Sequence, residues 1–314
     1  MKSKILVFIL LVFSCISQNA CHAEHEVGVL NFFSPMKPKQ YFDKPLQRSF
    51  ASAIKSEDLD MIKELIAKGA DVNAQGAEGM RPLFLAATRQ KLESFELLLR
   101  NGADPNVTAE RVAQIQLYED SPMTRKLPLM ELLVAIDDSR YLRLALEHGG
   151  DPNTKAQFGG MLKGLTVLFA AIREGYIQNV EVLVNGGADV NFLNPPSSHS
   201  PLTESANRSR YDITKLLIQN GAAPEKITGH SPDNIPISFA LNVKRFGFIE
   251  HFSLSQEERL EQRGHYLDVV KYLKNRELLE ENFDPWFVEN KAKGKTEIIT
   301  YEDRPEWWPD FPKK

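Results

Sequence analysis

The chain has 314 residues, 42% of them hydrophobic and 25% charged, a balance that excludes a disordered polymer and leaves room for a sizeable core. Its 38 Lys and Arg against 42 Asp and Glu give a net charge of -4, and no basic run exceeds pairs such as Arg125-Lys126, which excludes a nucleic-acid footprint. With only Cys15 and Cys21 there is no disulfide framework.

At the N-terminus, Lys2 and Lys4 precede an apolar stretch from Ile5 to Ile16, followed by small and polar residues up to Ala23. That order predicts a secretory signal peptide over residues 1–23. The apolar stretch is too short to be a membrane span, which takes about 20 residues. Cleavage after Ala23 leaves 291 residues without cysteine. A secreted chain of that kind points to a bacterial periplasm rather than to an oxidising eukaryotic route. A lipid anchor at Cys21 is the minority alternative, because Gln18 stands where a lipobox carries an aliphatic residue. Two glycosylation sequons occur, at Asn106 and Asn207, and the first falls in a tight turn that suits a glycan badly.

Residues 24–44, with Phe32, Phe33, Pro35 and Pro38, read as an extended leader that covers the open end of the helical body. Phe50, Ala53, Ile54, Leu59, Ile62 and Leu65 then recur at helical spacing and predict a first helix pair. Next a five-residue string repeats. Gly69-Ala70-Asp71-Val72-Asn73 returns as Gly102-Ala103-Asp104-Pro105-Asn106, as Gly149-Gly150-Asp151-Pro152-Asn153 and as Gly187-Ala188-Asp189-Val190-Asn191. It decays to Gly221-Ala222-Ala223-Pro224. The glycines are spaced by 33, 47, 38 and 34 residues, which against a 33-residue unit implies insertions of 14, 5 and 1. Each glycine follows an apolar run such as Leu97-Leu98-Leu99, where it can end a helix in the left-handed conformation. The Asp and Asn beside it bond their own backbone and shape the next turn.

These strings closely resemble the ankyrin repeat. Arg81-Pro82-Leu83-Phe84-Leu85-Ala86-Ala87 and Thr166-Val167-Leu168-Phe169-Ala170-Ala171 stand where the family carries Thr-Pro-Leu-His-x-Ala-Ala. Lys126-Leu127-Pro128-Leu129 and Ser200-Pro201-Leu202 are weaker copies. The resemblance covers most of residues 45–275. It implies an all-α ankyrin-repeat solenoid of about six helix pairs, with short finger turns, two longer insertions and a C-terminal cap or tail. Gly264 to Leu273 reads as the second helix of a sixth unit, its first helix beginning near Pro236-Ile237 and residues 247–262 forming an insertion. Phe84, Met130, Phe169, Thr203 and Ser238 are read into the family's histidine slot, so the network that stiffens the family's turns is expected to be mostly missing.

Residues 276–314 form the tail. It is expected to hold a helix from Glu277 to Asn282 and a strand-like run from Glu297 to Tyr301, and it carries all three tryptophans. The tail either caps the last helices or presents Trp286, Trp307 and Trp308 to a partner.

Little in the chain suggests chemistry. The histidines are scattered over different units, and His148, at a helix end, is placed to suit the helix dipole. His25 lacks spaced partners for a metal, and carboxylate pairs such as Asp137-Asp138 read as solvated faces. There is no Gly-rich phosphate loop and no Gly-x-Ser-x-Gly. No catalytic residue, cofactor or metal is therefore assigned, and an enzyme with its site in the insertions or the tail stays a remote alternative.

What remains is a surface. The finger tips span residues 75–81, 107–126, 155–163, 192–199 and 225–230. Within them Gln75, Glu78, Met80, Arg81, Gln157, Phe158, Met161, Leu162, Phe192 and Leu193 are the candidate partner-binding residues, apolar anchors amid polar neighbours. The plainer reading is that the longer fingers fold over themselves and bury the apolar ones. The chain is also similar to secreted bacterial ankyrin proteins encoded beside type VI secretion lipase effectors. That similarity lies in Tyr41-Phe42-Asp43-Lys44-Pro45-Leu46-Gln47 and in Leu146-Glu147-His148 leading into Gly149. It implies a periplasmic immunity protein that binds a lipase effector; a stress or assembly scaffold of the same compartment is the alternative.

Overall fold

The computed structural model describes residues 37, 40–113, 123–157, 164–193, 200–224, 227–230, 236–238, 248–249, 256–279, 286–291 and 295–300. The signal peptide, most of the leader, Phe158, Met161, Leu162, Trp307 and Trp308 lie outside the described residues. The chain divides into a unit up to Ala188 and a unit from Asp189.

The first unit holds four helix pairs: α1 (Pro45–Ser56) with α2 (Leu59–Ala67), α3 (Pro82–Thr88) with α4 (Leu92–Arg100), α5 (Leu129–Val134) with α6 (Ser139–Glu147), and α7 (Val167–Glu174) with α8 (Ile177–Asn185). Pro45 and Pro82 open their helices where a missing N–H costs nothing. Asp58 and Asp138 start α2 and α6 by accepting from the Met61 and Arg140 amides at 3.0 and 3.1 Å. At the far end of α4, Gly102 sits at φ +84 while Ala103 N donates to Leu98 O at 3.0 Å, the left-handed stop expected from the sequence. The apolar flanks bury Phe84, Phe95, Leu98, Leu132, Phe169 and Leu183 completely. Burying each side chain contributes roughly 1.5–3 kcal/mol, and no pair could bury its own flank alone.

One helical position shows how successive pairs stack. Met61, Ser94, Tyr141 and Asn179 each lie eight residues before a closing glycine. The Tyr141 ring meets the Phe95 ring of the preceding pair edge-on at 5.2 Å. Asn179 Nδ2 donates to Val134 O and Ile136 O of the preceding pair at 3.1 and 3.0 Å. Among the described residues no helix pair precedes Met61, which stands 40% exposed. On α1, Ser52 takes the place that buried Leu85 and Leu132 take on α3 and α5, so polar groups finish the outer face of the first pair. Ser52 Oγ and Ser56 Oγ satisfy themselves on the carbonyls of Arg48 and Ser52, at 2.9 and 3.1 Å.

The 14-residue insertion after Gly102 is a hairpin. β1 (Thr108–Ala113) pairs antiparallel with β2 (Met123–Pro128), with Ala109 opposite Leu127 and Glu110 opposite Lys126. The repeat body is all-helical, and among the described residues strands occur only in the fingers and toward the C-terminus.

The second unit holds α9 (Pro201–Asn207) with α10 (Tyr211–Gln219), then β3 (Ile227–His230) and β4 (Pro236–Ser238) as an antiparallel pair. A helix was expected to begin near Pro236-Ile237, but the segment is strand. Apolar residues alternate at Ile235, Ile237 and Phe239, and Pro236 takes the first strand position, where no ladder N–H is needed. After β5 (Phe248–Ile249), α11 runs from Gln256 to Asn275. Residues 256–262 are therefore helix rather than insertion, because Gln256, Glu257, Glu258 and Arg259 favour helix and acidic residues suit its first turn. α11 does pack as a second helix should. Tyr266 meets Tyr211 of α10 with ring centroids 4.7 Å apart, and Lys215 Nζ reaches Asp268 Oδ2 at 2.8 Å.

Beyond α11, residues 276–279 are turn and bend, with Glu277 at φ 58, so the expected helix from Glu277 does not start there. β6 (Trp286–Lys291) pairs with β5 on one side and with β7 (Lys295–Thr300) on the other. The strand-like run expected from Glu297 is β7.

Candidate protein-binding surface

The asparagine that ends each Gly-Ala-Asp-x-Asn string fastens one finger to the next. In each string the Asp carboxylate first accepts from the Asn amide: Asp71 from Asn73, Asp104 from Asn106 and Asp151 from Asn153, all at 2.8 Å. The Asn side chain then spans to the following unit. Asn73 donates to Gly102 O and accepts from Asp104 N, both at 2.9 Å. Asn106 donates to Gly149 O and accepts from Asp151 N, both at 2.8 Å. Asn153 donates to Gly187 O at 3.3 Å. In the second unit Asn191 spans to Gly221 O and Ala223 N at 2.9 Å each. At the next repeat position Glu225 replaces Asn. Asn106 is also the first sequon. A glycan on its Nδ2 would sit beside the bond to Gly149 O, leaving one hydrogen for it.

The first finger is tied to itself and to both neighbours. Arg81 donates from Nη1 to Asn73 O at 2.7 Å and from Nη2 to Gln75 Oε1 at 3.2 Å. Gly76 N donates to Met80 O at 2.7 Å, and Ala77 N to Tyr41 O at 2.8 Å. Tyr41 and Phe42 are buried, and both lie against the first finger at Gly76 and Ala77. Glu78 and Gly79 turn through the left-handed region at φ 56 and +72. A Cβ on Gly79 would lie 2.6 Å from Glu110 N, so the finger presses directly on β1 of the next. Met80, a candidate anchor, is 1% exposed: this finger takes the plainer course and folds its methionine inward.

The third finger is a small hairpin. Ala156 N donates to Leu165 O at 2.8 Å and Val167 N to Thr154 O at 2.9 Å. Gln157 is fixed by its backbone, whose amide donates to Glu131 Oε2 at 2.8 Å. Glu131 lies fully buried on α5. It also corrects the histidine-slot assignment. Pro128 is the residue before α5 rather than its first, so the slot falls on Glu131 and not on Met130. In α9 the slot residue Thr203 accepts from Ser200 N at 2.9 Å and closes a capping box. Glu131 and Thr203 thus restore part of the network expected to be missing, whereas Phe84 and Phe169 fill the slot by packing.

Of the candidate residues, the structure brings Gln75 and Arg81 together, leaves Glu78 and Gln157 half-buried on their fingers, and withdraws Met80. In the second unit Phe192 and Leu193 stand half-buried after Asp189, whose carbonyl takes the Phe192 amide at 3.2 Å. The shifted ionisable groups lie elsewhere, at helix starts and in packed layers. The Arg140 side chain holds Asp138 below the usual carboxylate range, and burial pushes Tyr141 and Tyr211 up. Burial would raise Asp212, yet Arg210 bonded to it keeps it low. Among the described residues no three His, Cys, Asp or Glu gather as a metal site, and no helix is long and apolar enough to cross a membrane.

Comparison with known proteins agrees with this geometry. Residues 50–99 match the family model of ankyrin repeats in many copies, and residues 130–228 match that of ankyrin repeats in three copies. Those two stretches are similar to ankyrin repeats, and the fold is an all-α ankyrin solenoid. It is 29% identical to the mitochondrial disaggregase of Bos taurus over 64% of this chain but only 27% of that protein. It is 29% identical to palmitoyltransferase AKR1 of Lachancea kluyveri over 52% of this chain and 20% of that protein. Those two matches therefore span about a quarter or less of their length. The putative ankyrin repeat protein YahD of Escherichia coli is 27% identical over 58% of this chain and 83% of its own. Ankyrin repeats indicate a protein–protein interaction module, and proteins built of them are generally non-catalytic.

Proposed function

We propose that this chain is a non-catalytic binding module of the bacterial periplasm that sequesters or neutralises a partner protein, in the manner of an immunity protein against a type VI secretion lipase effector. The observation that carries the binding role is the fastening of each described finger of the first unit to its neighbour. Asn73, Asn106, Arg81, Gly79 and Glu131 hold those loops before any partner arrives, so little ordering entropy remains to oppose association. An interface of standard size, roughly 1,200–2,000 Å² in total, is of the scale that several fingers can offer. The candidate contacts are Gln75, Glu78, Arg81 and Gln157 in the first unit and, separately, Phe192 and Leu193 in the second, with Phe158, Met161 and Leu162 outside the described residues. The address rests on the signal-peptide pattern, and the immunity role on the likeness of the Tyr41–Gln47 and Leu146–Asn153 strings.

The test has two arms. The chain from Glu24 is used to capture partners from periplasmic extract, alongside a Phe158→Ala, Met161→Ala, Phe192→Ala triple variant. The wild type should retain a partner that the folded triple variant loses; retention of every partner by that variant overturns the proposed contacts. Co-expression with periplasm-directed lipase effectors should relieve their toxicity. Capture without relief of toxicity would leave a binding module and remove the immunity role.

A further inference from the structure

On the second helices α4 and α6 of the first unit, the exposed flanks carry charges of opposite sign. The closing glycines Gly102 and Gly149 set the two helices in register at an offset of 47 residues. In that register Glu93 of α4 corresponds to Arg140 of α6, Glu96 to Arg143, and Arg100 to Glu147. Every charge matched between the two helices changes sign. Glu96 is half-buried and the other five are exposed. On each helix the three follow the i, i+3, i+7 spacing of a single face, and between them Leu97 corresponds to Leu144, both half-buried. The row through Glu96 and Arg143 continues with Lys63 of α2 and Glu181 of α8, so its sign alternates along all four pairs. Within one chain this pattern is little used. Glu96 pairs with Arg100 and Arg140 with Asp138, each along its own stretch, and among the described residues no ion pair crosses from α4 to α6.

We infer that this face is an interface between two copies of the chain. A two-fold axis parallel to the helices and lying between α4 and α6 brings α4 of one protomer onto α6 of its partner, running in the same direction. Such an interface is isologous, so every contact occurs twice. It sets Glu93 against the partner's Arg140, Glu96 against the partner's Arg143 and Arg100 against the partner's Glu147. Leu97 meets the partner's Leu144 at the centre, and Lys63 faces the partner's Glu181 outside. The other two-fold arrangement, α4 on α4 and antiparallel, sets Glu96 against the partner's Glu96 and is opposed by its own charge. Isolated surface ion pairs contribute little, but here the Glu96–Arg100 pair joins the partner's Arg143 and the partner's Glu147 in a network around apolar side chains. Helices of nine residues are about 13 Å long and neighbours lie about 10 Å apart, a patch below the standard interface of roughly 1,200–2,000 Å². The dimer is therefore a weak one, governed by charge. None of its contacts belongs to a finger, so the binding role proposed above does not depend on it.

Sedimentation velocity on the chain from Glu24 tests this. The wild type should pass from monomer to dimer as its concentration rises to about 100 µM. Raising salt from about 50 mM to about 500 mM should weaken association about tenfold or more. Glu96→Arg sets like charges against Arg143, and Arg143→Glu sets them against Glu96. Each alone should be monomeric under the same conditions while keeping a folded circular-dichroism spectrum. Arg143→Gln, which reverses nothing, should weaken the dimer by a smaller factor. An equimolar mixture of the two reversals should dimerise again, because across the two-fold each reversed charge then meets its opposite. A wild type that stays monomeric, a dimer indifferent to both reversals, or a mixture of folded variants that does not associate overturns the proposal. Glu96→Arg should also capture a periplasmic partner as well as the wild type does. Loss of capture would give this face to that partner and overturn the second copy as its occupant.

Discussion

Gln47 closes both ends of its amide on the backbone of Asp71: Nε2 donates to Asp71 O at 2.8 Å and Oε1 accepts from Asp71 N at 2.9 Å. In the next two repeats the amide at that Asp is met by an Asn reaching over from the preceding finger, as Asn73 meets Asp104 and Asn106 meets Asp151. Among the described residues no finger precedes this helix pair, and a longer side chain from its own first helix stands in. Gln47 takes at Asp71 the place that an Asn takes in the following repeats.

This equivalence gives a paired expectation. Gln47→Ala and Asn106→Ala should each lower unfolding free energy by about 1–3 kcal/mol, since each strips partners from two backbone groups. Asn106→Ala should also loosen the join between its neighbouring units, whereas Gln47→Ala should fray only the first pair. Urea unfolding gives the totals, and hydrogen exchange of the Asp151 and Asp71 amides places the damage. Equal protection of both amides in both variants would refute the account.

Glu131 makes a sharper case because it is buried. Glu131→Ala leaves the Gln157 amide without its acceptor at 2.8 Å and opens a void, and should cost about 2–4 kcal/mol. Glu131→Gln keeps an oxygen for that amide and should cost less. Partner capture follows the same order if the third finger is read by a partner. Thermal and urea unfolding, with capture measured on the same samples, check both.

Much of this was written in the chain. The glycine period marks where every second helix of the repeats stops, and the Asp and Asn beside it mark the finger joins, because those residues act within their own turn. What escaped reading acts across units. Glu131 carries no signal in its own stretch of chain, and its role shows only when Gln157, 26 positions away, is laid beside it. Met80 reads as an anchor for a partner, yet it is 1% exposed on a finger that meets the next hairpin at Gly79. Pro236-Ile237 misled because a proline before an apolar run opens both helices and strands, and its period of two was short.

Gly79 tests whether the fingers work as one element. At φ +72 an alanine is strained in any case, and its Cβ would fall 2.6 Å from Glu110 N and 2.9 Å from Ala109 Cα, both backbone. We expect Gly79→Ala to cost about 1–3 kcal/mol and to displace the hairpin base. Gly102→Ala keeps the left-handed strain, but its Cβ meets no atom within 4 Å. It should cost about 1–2 kcal/mol and leave the hairpin amides unmoved. Amide chemical shifts of residues 108–110 separate the two; similar shifts in both variants would mean the contact at Gly79 carries nothing.

Acid dependence should trace to Asp212. Burial alone would push its carboxyl up, but Arg210 donates to it from Nε and Nη2 at 3.0 and 2.7 Å and keeps it below the ordinary range. A carboxyl depressed in the folded state lends stability that is complete above its unfolded value, about 3.9, and is lost as pH falls through the folded one. Asp212→Asn should therefore be less stable than wild type at pH 7, and the gap should close as pH drops below about 4. Asp138, held low by Arg140, has the same sign. Arg140 is largely exposed, so salt should weaken the Asp138 contribution more than that of Asp212. Urea midpoints at pH 7, 5, 4 and 3, at low and high salt, decide it: a gap for Asp212→Asn that widens toward acid would reverse the sign and remove Arg210 as the cause.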